Sequence, residues 1–186
     1  MSNSTSDVAH QRPGAATAER RLGEILRVDH AGELGAVRIY QGQLAVLGNS
    51  PAAEIVRGMA RQEDRHKALL DDLLNARGVR PSLLDPLWSA AGFALGAASA
   101  LLGVEAAMAC TVAVEEVIGA HYGRQAAELG TREPALASKL DQLKREELEH
   151  LETGLAEGAE KVPAYPLFTG LIKAGCRFAI KIAEKV

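Results

Sequence analysis

Gln62-Glu63-Asp64-Arg65-His66 and Glu146-Glu147-Leu148-Glu149-His150 each set a carboxylate and an imidazole three residues apart, Glu63 with His66 and Glu147 with His150. Positions i and i+3 share one face of a helix, so each pair presents one oxygen and one nitrogen ligand to the same neighbour. A lone glutamate precedes each pair at nearly equal distance: Glu33 by 30 residues and Glu115 by 32. Four carboxylates and two imidazoles in this order are the ligand set of a carboxylate-bridged di-iron site inside a four-helix bundle. The spacing therefore predicts an all-α fold with a redox centre in its core.

The turns decide how the carboxylates meet. Gly48 lies midway between Glu33 and Glu63, and Thr131 midway between Glu115 and Glu147. In an antiparallel helix pair, residues equidistant from the turn sit at the same height. At about 1.5 Å per residue, each lone Glu and its Glu-x-x-His lie roughly 22–24 Å from their turn. An internal repeat supports the pairing. Glu33 is followed seven residues on by Tyr40 in Tyr40-x-x-Gln43, and Glu115 seven residues on by Tyr122 in Tyr122-x-x-Gln125. The repeat selects Glu115 over its neighbour Glu116.

Apolar residues at helical period flank all four glutamates. Val56, Met59 and Leu70 accompany Glu63, Leu140 and Leu143 accompany Glu147, Leu26 and Tyr40 accompany Glu33, and Met108 and Ile118 accompany Glu115. An ionised Glu on such a face costs several kcal/mol unless a charge neutralises it. Two Fe²⁺ ions bring four positive charges to four carboxylates. Carboxylate-rich sites with one His per metal suit iron or manganese better than zinc. The expected pattern has Glu63 and Glu147 bridging, Glu33 and Glu115 terminal, and His66 and His150 on one metal each. Asp64, Glu146, Glu149 and Glu152 fall off the stripes and are expected in solvent. Asp29, one turn before Glu33, is a candidate to orient His66 or His150. His30 reads as a surface residue in preference to a partner of the site, and His121 as a neighbour of the site or of a substrate channel. Tyr40 and Tyr122 fit either the substrate path or the core with their hydroxyls bonded.

Five helical segments are expected: Ala18 to Leu47, ended by Gly48; Ser50-capped Pro51 to Arg77, ended by Gly78; a helix or pair of helices to Leu129, started by a capping-box-like Ser82-x-x-Asp85; Pro134 to about Gly158; and a last helix to Val186. The 186 residues suffice for one domain, read as 20–186 behind a flexible tail at 1–19 that has neither the apolar stretch of a secretory signal nor the arginines of a transit peptide. The net charge of −3 gives no footprint for nucleic acid. Cys110 and Cys176 lie in apolar surroundings and are expected buried and reduced. Leu87 to Val104 carries no charge but is too rich in Ala, Gly and Ser for a membrane span; a buried or interfacial helix is expected. Lys173, Arg177, Lys181 and Lys185 recur every four residues beside Leu167, Leu171 and Phe178, a pattern shared by a membrane-surface helix and an ordinary capping helix.

Beyond these spacings, particular runs resemble one family. Arg27-Val28-Asp29-His30-Ala31-Gly32-Glu33-Leu34-Gly35-Ala36, Arg38-Ile39-Tyr40, Gln62 to His66, Ala107-Met108-Ala109-Cys110-Thr111-Val112-Ala113-Val114-Glu115-Glu116, Glu146 to His150 and Ala174-Gly175-Cys176-Arg177 look like the demethoxyubiquinone hydroxylases of ubiquinone biosynthesis. The resemblance runs from about Arg20 to the C-terminus. It implies a ferritin-like four-helix bundle with additional apolar and amphipathic helices, and a di-iron monooxygenase. Its metal ligands carry over onto Glu33, Glu63, His66, Glu115, Glu147 and His150. The implied substrate is a polyprenylated demethoxyubiquinol, hydroxylated with O₂ and a reductant that is NADH, another donor or the quinol itself. The resemblance also implies peripheral attachment at the cytoplasmic face of the cell membrane, and leaves room for a homo-oligomer or a biosynthetic complex. The rival readings are an iron-storage protein, a di-iron hydroxylase of another substrate such as tRNA, and a metal-free structural bundle.

Overall fold

The computed structural model describes residues 15–185. Six helices follow one another: α1 (Ala15–Leu47), α2 (Pro51–Arg77), α3 (Asp85–Leu101), α4 (Val104–Leu129), α5 (Pro134–Ala156) and, after a 3-10 turn at Ala159–Lys161, α6 (Tyr165–Ala183). No strand occurs among the described residues. The all-α expectation holds. Residues 1–14 of the expected tail and the C-terminal Val186 lie outside the described residues; residues 15–19 already belong to α1.

The punctuation read from the sequence is in place for the first hairpin. Gly48 takes a left-handed φ of 60°. Ser50 Oγ then accepts from Ala53 N at 3.2 Å with Pro51 at the first helical position, and Gly78, at φ 62°, closes α2. These devices satisfy backbone groups the helix ends leave unpaired. Ser82-x-x-Asp85 is not a capping box: Ser82 Oγ accepts from Leu84 N, and Leu84 itself caps α3 without a side-chain bond. The segment to Leu129 resolves into two helices, broken at Gly103, whose φ of 119° suits only glycine.

α1 pairs with α2 and α4 with α5, each across its short turn. Two apolar clusters fill this four-helix unit. One gathers Leu22 and Leu26 of α1, Leu70 and Leu74 of α2, Tyr122 and Leu129 of α4, and Leu140 and Leu143 of α5. The other gathers Tyr40, Val56, Met59, Met108 and Val112. The six candidate ligands fall between the two in every helix. α3 crosses α1 at backbone contact and α6 packs on α4. A Cβ on Gly92 would come within 2.6 Å of the Gly35 carbonyl oxygen, and one on Gly96 would overlap the carbonyl of Ile39. Small residues in the Leu87–Val104 stretch thus serve close packing. No described helix is long and apolar enough to cross a membrane.

Candidate metal centre

All six predicted ligands are buried; Glu33, Glu63 and Glu147 expose nothing, and the other three at most 3%. Their ligand atoms form two groups. Glu33, Glu63, His66 and Glu147 make one, and Glu63, Glu115, Glu147 and His150 the other, each with its ligand atoms within 4.8 Å of one another. Glu63 and Glu147 belong to both groups. Nδ1 of His66 lies 3.2 Å from Glu147 Oε1, and Nδ1 of His150 lies 2.9 Å from Glu63 Oε1. The two imidazoles stack with centroids 6.2 Å apart. Each His therefore turns Nδ1 toward the shared carboxylates.

The electrostatics call for cations. Both oxygens of Glu63 and of Glu147, one each of Glu33 and Glu115, and both ring nitrogens of His150 are buried without a hydrogen-bond partner. Burial, reinforced by the neighbouring carboxylates, holds Glu33 and Glu63 well above the carboxylate range and pushes Glu115 up to about 8. Burial also raises Glu147, but the His66 and His150 imidazoles, with Nδ1 atoms 3.2 and 3.4 Å from its oxygens, outweigh it and leave Glu147 low. His66 is driven to about 9, its burial overcome by Glu147 and Glu33. Without a metal, the cluster keeps its charge down by holding protons. Metal ions displace such protons and satisfy the orphaned oxygens and nitrogens together. Buried, unpaired and arranged in two overlapping four-ligand sets, these residues fit a pair of metal ions.

Each tyrosine of the repeat serves the opposite half. Tyr40 donates to Glu115 at 2.7 Å, and Tyr122 donates to Glu33. Both are core residues with bonded hydroxyls. Glu146 departs from its expected place in solvent: it is half-buried and lies 2.5 Å from Nε2 of His66, fixing the ring from behind. It takes the orienting part expected of Asp29. Asp29 instead accepts from Gln125 Nε2 at 2.7 Å and has His121 Nε2 3.6 Å away. His30 is buried, not on the surface, and meets Asp71 of α2 at 2.9 Å. Both cysteines are free; Cys110 is buried and Cys176 half-buried. Lys173 leaves the expected basic stripe to pair with Glu116 at 2.5 Å.

An apolar cavity of about 660 Å³ opens beside the ligands, between α1, α3, α4 and α6. Gly32 and Val114 in its wall are the chain neighbours of Glu33 and Glu115, and Trp88, Leu95, Ile172 and Phe178 line it farther out. The sequence model of ubiquinone biosynthesis protein COQ7 matches residues 20–183. The chain belongs to the COQ7 family. The 3-demethoxyubiquinol 3-hydroxylase of Rhodospirillum rubrum is 52% identical over 175 residues, covering 94% of this chain and 82% of that one. The NADPH-dependent 3-demethoxyubiquinone 3-hydroxylase, mitochondrial, of Mus musculus is 50% identical over 168 residues, 88% of this chain and 77% of its own. The 5-demethoxyubiquinone hydroxylase, mitochondrial, of Saccharomyces cerevisiae is 42% identical over 182 residues, 89% and 78% respectively. In this COQ7-family chain, the runs that suggested the family contain the residues now found around the buried carboxylates and histidines.

Proposed function

We infer that this chain hydroxylates the ring of a polyprenylated demethoxyubiquinol, consuming O₂ and a two-electron reductant, in ubiquinone biosynthesis. The observation that carries the reading is the juxtaposition of a two-metal ligand set with an apolar cavity. Iron fits the donor set: hard carboxylates in excess, with one imidazole per ion. Glu63 and Glu147, common to both groups, would bridge; Glu33 with His66, and Glu115 with His150, would complete the two ends. The bound ions would supply the redox chemistry that activates O₂.

The chain's own residues supply the rest. The apolar cavity wall accepts an apolar tail, with Gly32 and Gly35, where an added Cβ meets nothing within 4 Å, leaving backbone-close room. Tyr40 and Tyr122 hold Glu115 and Glu33 in one orientation, and Glu146 holds His66 in the tautomer whose Nδ1 is free to ligate. Exposed apolar side chains support a peripheral membrane position. Leu87 of α3 and Leu171 and Phe178 of α6 are exposed where they line the cavity, Leu83 and Leu167 are exposed as well, and Arg177 and Lys181 stand on the same helix α6 to meet anionic headgroups. Storage of iron and action on tRNA are set aside, because the relatives are named as hydroxylases of quinone rings.

Quinone profiling tests the function. Cells lacking the protein are expected to accumulate the demethoxy precursor, with ubiquinone restored by the wild-type chain and not by Glu63→Ala. Normal ubiquinone in those cells would refute the reading.

A further inference from the structure

The apolar cavity accounts for the substrate, but not for protons. Inserting one oxygen atom of O₂ into a ring C–H and releasing the other as water consumes two electrons and two protons. A nicotinamide donor supplies the two electrons and one proton as hydride; the second proton must come from solvent to a cluster walled by hydrocarbon. A second pocket of about 500 Å³, between α1, α4 and α6, is part polar: His121 and Gln125 line it together with Arg21, Arg124, Arg177 and Lys181 and the acids Glu128 and Glu184. Behind that wall lies Asp29, whose side chain is fully enclosed and whose Oδ2 has no hydrogen-bond partner.

Gln125 joins the two titratable groups. Its Nε2 donates to Asp29 Oδ1 at 2.7 Å and lies 2.9 Å from His121 Nε2. This arrangement suits an ionised Asp29. Turning the amide over places Oε1, which has no partner as it stands, where it can accept both from a protonated Asp29 and from His121 Nε2–H. The trio therefore has two hydrogen-bonding states that differ by one proton on Asp29 and by the His121 tautomer: the first needs a bare Nε2, and the second has Nε2–H with Nδ1 accepting from Arg124 at 3.3 Å. Burial holds that carboxyl up at about 8 against the pull of Gln125 and the more distant Arg21, and burial, with Arg124, keeps His121 low at about 4. Asp29 is one turn from Glu33 on α1, and Gln125 one turn from Tyr122 on α4. At about 1.5 Å per residue, the layers are roughly 4.5–6 Å apart, a gap one water spans. The repeated half shows that this is not imposed by the fold. At an offset of 82 residues, Thr111 stands for Asp29, Gln43 for Gln125 and Ile39 for His121. There Gln43 Nε2 merely donates to Ala107 O and Thr111 Oγ1.

We propose that Asp29, Gln125 and His121 form a one-sided proton relay, carrying protons from the second pocket to the layer of Glu33 and Tyr122. His121 takes a proton from the pocket at Nδ1, in place of the Arg124 N–H, its Nε2 passes one to Asp29 Oδ1, 3.6 Å away, and Asp29 holds it one turn from the cluster until the reaction consumes it. The relay rests on the hydroxylase reading, so its test has one arm that does not. In the metal-free protein, infrared difference spectra between wild type and Asp29→Asn are expected to show a protonated carboxyl band at neutral pH that disappears on titration through about 8. Absence of that band at neutral pH would overturn the proposal. In the iron-loaded enzyme, Asp29→Asn is expected to lower kcat by about 100-fold with KM within about twofold, and to raise the solvent isotope effect on kcat. His121→Ala is expected to lose activity that imidazole, small enough for the pocket, restores. Wild-type kcat and isotope effect in Asp29→Asn, or loss of iron and stability with no response to imidazole in His121→Ala, would overturn it. A wild-type enzyme that forms no hydroxylated quinol would instead count against the function, and the infrared arm would still decide whether Asp29 carries the proton.

Discussion

Glu146 and Glu147 are neighbours in the chain and face opposite tasks. Glu147 points into the cluster and belongs to both ligand groups; Glu146 reaches across to α2 and fixes His66 from behind. The hydrophobic stripe of α5 separates them, and the stripe was legible. That Glu146 then finds His66 was not, because the partner sits 80 residues away on another helix. The same reason hid the pairing of Asp29 with Gln125, 96 residues apart. Periodicity reports which way a side chain leaves its own helix, not what it meets. Glu146→Ala is expected to weaken metal binding by about 10–100-fold while the helices persist, as chelator competition and far-UV circular dichroism would show. The buried acids also set a pH dependence. In the metal-free fold Glu33, Glu63 and Glu115 keep protons that the unfolded chain has lost above about 4.5, and His66 keeps one to about 9. The folded state then binds more protons than the unfolded, so stability falls as pH rises from about 5 to about 9. Glu147, held low, opposes this only at the acid end. Thermal melts across that range are expected to decline for the metal-free protein and to flatten when Mn²⁺ or Fe²⁺ is bound.

At the scale of elements, the boundaries expected at Leu47, Pro51, Arg77, Leu129 and Pro134 are where the helices end and begin, because caps are local chemistry. The break at Gly103 was left open, since Ala-rich sequence on both sides continues a helix equally well. Also unread was the contact of α3 with α1, where backbone carbonyls of one helix sit where the other would carry methyl groups. Composition shows that glycines are present, and only three dimensions show what they face. Gly96→Ala is expected to force the two helices apart and to cost about 1–3 kcal/mol, readable in urea titrations. Gly32→Ala, where an added Cβ meets nothing within 4 Å, serves as the control.

For the whole molecule, the exposed Leu87, Leu171 and Phe178 also line the apolar cavity, so its wall runs out onto the surface. The four apolar side chains Leu83, Leu87, Leu171 and Phe178 are all more than half exposed. Each stands to gain about 1.5–3 kcal/mol on burial, so one charged replacement is enough to move a weak partition by tenfold or more. Leu171→Glu and Phe178→Glu are each expected to lower binding to anionic vesicles in flotation assays by that amount, with iron content unchanged. Equal binding of wild type and variants would argue against attachment through α6.

The crossed tyrosines carry a consequence for the order of folding. Tyr40 and Glu115 are separated by 75 residues and Tyr122 and Glu33 by 89. Neither helical hairpin can therefore finish its own half of the cluster, since each terminal carboxylate is steadied by a hydroxyl from the other. Local helices and hairpins form first, and the long loop between partners must close before any complete ligand set exists. Metal capture is then a late event that seals a docked pair of hairpins, and its release would loosen the joint between them before it melts either one.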